Sequence, residues 1–158
     1  MDSIPARCRD ENGYLVRQSL MTEVPYGRRT VARAGCGFLA VYNTARFFGL
    51  PVRESEVWQY FHQGVFLGAV MGTTIGHLCR GVYRFGMRIT GVRYRDLKNA
   101  PACILWYHTG HSRHYVLVRR GRGGRDPLPQ SSPAAAPRFS GFFGPNRDAT
   151  GLAPPRPG

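Results

Sequence analysis

Ala34-Gly35-Cys36-Gly37-Phe38-Leu39-Ala40-Val41-Tyr42-Asn43 is the stretch on which the fold turns. From Cys36 onward Phe38, Leu39, Val41, Tyr42, Ala45, Phe47 and Phe48 make a broad apolar face at helical spacing. Gly49 followed by Pro51 supplies the stop. The spacing therefore predicts a deeply buried helix that begins at a cysteine. Downstream, Val57, Tyr60 and Phe61 predict a second helix over residues 54–63, closed by Gly64. Gly72-Thr73-Thr74 offers a cap for a third, in which Ile75, Leu78, Cys79, Val82, Tyr83 and Phe85 recur until Gly86. The texture then changes. Residues 87–94 alternate loosely, Ala102-Cys103-Ile104-Leu105-Trp106-Tyr107 is a continuous apolar run, and Tyr115-Val116-Leu117-Val118 follows a turn containing Gly110. Helices first and antiparallel strands after them predict an α+β fold.

A chain of 158 residues has room for one such domain and a tail. Its charge is strongly basic, with 22 Lys and Arg against 9 Asp and Glu. That balance raises the question of a nucleic-acid partner. Lys98 is the only lysine, the arginines are dispersed apart from Arg28-Arg29 and Arg119-Arg120-Gly121-Arg122, and no basic stripe interleaves with aromatics, so the sequence argues against one. Cys8, Cys36, Cys79 and Cys103 show no regular spacing and read as reduced thiols. The first 17 residues carry Asp2, Arg7, Arg9, Asp10 and Glu11, unlike a signal peptide, and no apolar run is long enough to span a membrane. A cytoplasmic protein is the expectation. Residues 121–158 hold most of the prolines and few apolar residues. Such a composition offsets little chain entropy by burial, so the tail is expected either to be disordered or to reflect an out-of-frame reading of a GC-rich gene.

Cys36 is the first candidate for chemistry. A thiol at a helix N-terminus meets the positive end of the helix dipole and unpaired amides, which favour the thiolate. The flanking Gly35 and Gly37 would allow a substrate backbone to approach, and the Cys36 amide would face a developing oxyanion. The competing reading is a buried structural cysteine. A nucleophile needs a base, and His114, immediately before the strand at 115–118, is the best placed. His108, His111 and His114 recur every third residue, but with no carboxylate or cysteine beside them they do not make a metal site, and no cofactor is implied.

The run from Ala34 to Asn43, closed by Gly49, resembles the nucleophile helix of the double-glycine leader peptidases and their papain-fold relatives, and His114-Tyr115-Val116-Leu117-Val118 resembles their general-base strand. The resemblance implies a papain-like domain over residues 24–120, with an N-terminal extension at 1–23 and the tail at 121–158. It implies a peptide or protein substrate, with Cys36 forming an acyl-enzyme and His114 as base. Two parts depart from the family. A glutamine a few residues before the cysteine is absent and the nearest upstream is Gln18, and the orienting residue after the histidine strand would have to be Asp126 or Asn146. The expectation is a cysteine hydrolase or acyl transferase acting on an amide. Its rival is an inactive or truncated papain-like module that binds peptide.

Overall fold

A computed structural model describes residues 4–64, 67, 72–91, 101–109, 112–121, 124–127 and 138–145. The chain opens with single 3-10 turns at Ala6–Cys8 and Gln18–Leu20. A small hairpin of β1 (Pro25–Tyr26) and β2 (Arg29–Thr30) follows. One helical turn, α1 (Val31–Ala34), leads through Gly35 into α2 (Cys36–Phe47), and α3 (Glu54–Gln63) and α4 (Ile75–Arg84) come next. The strands are β3 (Ile89–Gly91), β4 (Ala102–Thr109), β5 (Ser112–Gly121), β6 (Gly124–Pro127) and β7 (Arg138–Pro145). They form one antiparallel sheet in the order β3-β7-β4-β5-β6. The architecture is α+β, as the helix-then-strand order predicts. Among the described residues no helix is long and apolar enough to cross a membrane.

α2 is the centre of the core. Every residue from Cys36 to Ala45 is buried, and Phe38, Leu39, Ala40, Val41 and Ala45 expose nothing. A helix apolar on all sides is stable only when covered on all sides. Its end is a Schellman motif: Gly49, at φ +67°, donates to Arg46 O, and Leu50 donates to Ala45 O. α4 closes in the same way through Gly86 and Met87. It opens on Thr74, whose hydroxyl accepts from the His77 amide at 3.3 Å. The boundaries of α3 and α4 match the sequence expectation because caps and glycine stops are local signals.

Two expectations change. Residues 1–23 were expected to be an extension, but Ile4, Cys8, Leu15 and Met21 belong to the same core cluster as α2. Asn43 explains how. From the interior of α2 its side chain accepts from Leu15 N at 2.8 Å and donates to Leu15 O at 2.8 Å, which satisfies a buried stretch of extended chain as a neighbouring strand would. The tail also departs from expectation, because its described residues form β6 and β7, and β7 lies between β3 and β4. Strand pairing is made by main-chain groups, so a segment poor in apolar side chains can still complete a sheet whose edge is waiting.

The β4–β5 register sorts the hairpin into two faces. Ile104 pairs with Leu117 and Trp106 with Tyr115, and these residues join the clusters that contain α2 or its last residue, Phe47. Cys103 pairs with Val118 and Leu105 with Val116, and with Tyr107 they form a separate apolar cluster. Alternation along a strand requires that these sets point to opposite sides.

Candidate functional site

Cys36 occupies the first position of α2 and faces the inner surface of β5. The main-chain amides of Tyr115 and Gly37, and its own, act to lower the thiol pKa. Those donors favour a thiolate, as does the helix dipole. Burial outweighs them. Cys36 exposes only 7% of its surface, and desolvation holds its pKa above the ordinary 9.0. The helix dipole is legible from the position of Cys36 in the sequence, whereas the depth of its burial is not.

Residues far apart in sequence gather near this thiol. Tyr26, from β1, is fully buried and its hydroxyl lies 2.7 Å from Thr73 Oγ1. Thr73 in turn rests on the first turn of α2: a Cβ at Gly37 would meet the Thr73 Oγ1 at 2.5 Å. Tyr115 completes the group from β5. Burial is the main cause that raises the pKa values of Tyr26 and Tyr115, and a charge on Cys36 would raise both further. The two tyrosines thus lie close enough to Cys36 that a thiolate there would hold both more firmly neutral.

The glycines around Cys36 have an explanation of their own. A Cβ at Gly35 would meet the Val31 Cα at 2.9 Å, and one at Gly37 would meet Thr73. Both spaces are taken by the protein's own atoms rather than left for a substrate.

His114 lies elsewhere. It pairs with Tyr107 across the β4–β5 ladder, and the two rings sit with centroids 5.6 Å apart and planes inclined by 31°. It therefore belongs to the face of Cys103, Leu105, Val116 and Val118, while its neighbour Tyr115 faces Cys36. Half-buried there, His114 has its pKa lowered by desolvation. Strand alternation thus places His114 and Tyr115 on opposite faces of β5.

Gln18 does fold back toward the approach to Cys36. Its Nε2 donates to Val31 O at 2.8 Å and more weakly to Ala32 O at 3.4 Å, so it ties α1 in place instead of presenting a donor to a substrate oxygen. Asp126 pairs through its backbone with Arg119 in β6, and Asn146 and His111 lie outside the described residues.

Tyr26, Thr73 and Tyr115 are the members of the site that the sequence did not reveal. Thr73 stands beside Thr74 in the stretch read as a cap. Because Thr74 takes the capping role, the Thr73 hydroxyl is left for Tyr26. No family model, no curated protein and no solved structure matches the chain, so these contacts themselves carry the functional reading.

Proposed function

We propose that this chain is a peptide-binding module on a papain-like arrangement of helices and sheet, in which Cys36 is a structural thiol and not a nucleophile. One observation carries the reading: the alternation that turns Tyr115 toward Cys36 turns His114 to the far face. Three others support it. The thiol is covered and its pKa raised, Gln18 is spent on α1, and both flanking glycines accommodate internal contacts. A buried neutral thiol with no base at hand is a small hydrophobe. The α+β order of elements, with helices before an antiparallel sheet, is what supports the papain-like part of the proposal.

A second reading, hydrolysis or acyl transfer through a Cys36 acyl-enzyme, is favoured by the main-chain amides of Tyr115, Gly37 and Cys36 itself, which act to lower the thiol pKa against burial. Such donors suit a thiolate or an oxyanion once the cover is lifted.

Peptide turnover and alkylation separate the two. On a pool of short fluorogenic peptides, wild type and Cys36→Ala are expected to show the same background rate. Iodoacetamide near neutral pH is expected to label half-buried Cys79 before Cys36 in the native protein. Turnover lost on Cys36→Ala, or Cys36 alkylation slowed by His114→Ala, would establish the enzyme instead.

A further inference from the structure

A cleft of about 540 Å³ lies on the other side of α1 from the core, lined by Thr22, Arg29, Thr30, Ala32 and Arg33. Its volume falls within the roughly 300–1,000 Å³ typical of small-ligand sites. Three pieces of chain build it. The turn before β1 brings Thr22, the hairpin brings Arg29 and Thr30, and α1 brings Ala32 and Arg33.

These walls are held to one another by main-chain bonds. Val31 N donates to Val24 O at 2.8 Å and Ala32 N to Met21 O at 3.2 Å. Gln18, buried beneath, binds the carbonyls of Val31 and Ala32. A cleft whose walls are tied before a ligand arrives loses little entropy on binding.

The lining is basic. Arg29 and Arg33 are exposed to solvent, and among the described residues neither belongs to an ion pair, in contrast to Arg9 with Glu54 and Arg53 with Glu56. Thr30, at the start of α1, makes no capping bond with its side chain, so its hydroxyl is not spent on the helix. Glu23 is exposed beside Thr22 but is not part of the lining. Two arginines and two threonines line the cleft with no acid among them, side chains of the kind that recognise an oxyanion. The methyl groups of Thr22, Thr30 and Ala32 and the arginine stems give the remaining surface an apolar character. The cleft is also larger than a bare ion requires, which fits an oxyanion carried on an organic body.

From this geometry we infer that the cleft between the β1–β2 hairpin and α1 binds a carboxylate side chain of an acidic peptide, with Arg29 and Arg33 as its two anchors. The inference rests on the reading of the chain as a peptide-binding module and names the class of peptide. Binding is dominated by two charge-assisted contacts at an exposed site, so it weakens as salt rises.

The test uses the full chain and fluorescence anisotropy with four probes: a labelled alanine-glycine peptide carrying two glutamates, its glutamine isostere, its phosphoserine counterpart, and inorganic phosphate as competitor. The glutamate peptide is expected to bind and the glutamine peptide to bind about tenfold more weakly or worse. R29A/R33A is expected to weaken the glutamate peptide by about tenfold or more, and R29K/R33K, which keeps the charge but loses the fork, by less. R28A, outside the lining, is expected to bind as wild type does. Glutamate and glutamine peptides that bind alike, or an R29A/R33A variant that binds normally, would overturn the cleft assignment while leaving a peptide module standing. A phosphoserine peptide favoured about tenfold over glutamate would reassign the site to phosphate esters, and phosphate alone matching the peptide would make it an ion site. Cleavage of the glutamate peptide by wild type but not by Cys36→Ala would instead remove the non-catalytic reading and leave the cleft as a substrate subsite.

Discussion

The two faces of the β4–β5 hairpin are made of similar residues and do different things. The inner face presents Ile104, Tyr115 and Leu117 to α2 and the N-terminal segment. The outer face gathers Cys103, Leu105, Tyr107, Val116 and Val118, with His114 paired to Tyr107. Adjacent residues of one strand thus serve different environments. His114 and Tyr115 differ by one position, and that single step places them on opposite faces of the sheet. A motif read as a string assigns both residues to one site, whereas a strand assigns them to opposite surfaces.

Truncations on the two faces should show the largest contrast. Leu117, fully buried between the sheet and the end of α2, is expected to cost about 2–5 kcal/mol on replacement by alanine. Val116→Ala on the outer face removes a smaller side chain and is expected to cost about 1–3 kcal/mol. Urea unfolding of both variants measures the difference, and equal losses would mean that the faces are equally filled. Asn43→Ala is comparable to the first. It leaves both main-chain groups of Leu15 buried and unpaired, for a loss of about 2–4 kcal/mol.

Gly37→Ala probes the inner face at the site itself. The added methyl must displace Thr73, with an expected cost of about 1–3 kcal/mol. Displacing Thr73 also breaks its contact with Tyr26, so Cys36 in this variant should alkylate faster than in wild type. A variant that loses stability with no change in alkylation would separate Thr73 from the cover of the thiol.

Titration sharpens the contrast further. On the inner face Cys36 has a folded pKa above 9.0, raised mainly by burial, and those of Tyr26 and Tyr115 lie above 10.0 for the same main reason. Above pH 9.0 the unfolded chain loses these protons while the folded one keeps them, so stability is complete below that pH and falls as pH rises. On the outer face His114 has a pKa lowered below 6.5 by burial, and His77, beneath α3, is lowered by burial and then by Arg80. Below pH 6.5 the unfolded chain takes up protons that the folded one resists, so stability falls there as well. Melting temperature is expected to peak between these limits, with Cys36→Ala flattening the alkaline side and His114→Ala the acid side. The smallest expected effect is that of His114→Ala on Cys36 alkylation at neutral pH, which should be none.

Much of the fold was legible because its signals are local. The apolar run after Cys36, the Gly49 stop, the span 54–63 closed by Gly64, the threonine cap before Ile75 and the apolar strand at 102–107 each depend on residues within a turn or two of one another. The N-terminal segment was harder to read, since its place in the core depends on Asn43, 28 residues beyond Leu15. The strands at 124–127 and 138–145 were hidden for a different reason: main-chain pairing leaves little trace in side-chain composition.

By itself the sequence determined the helices, the central strands and the presence of a cysteine at the start of the most buried helix. The tertiary structure alone decided how deeply that cysteine is buried. A thiol pKa reflects the balance between dipole and desolvation, and Cys36 is buried in a core cluster that also holds Tyr26, Leu78, Ile104 and Tyr115, which spacing along the chain does not connect. The face on which His114 lands was hidden in the same way, because it is set by the register of pairing, and register is a property of the folded sheet.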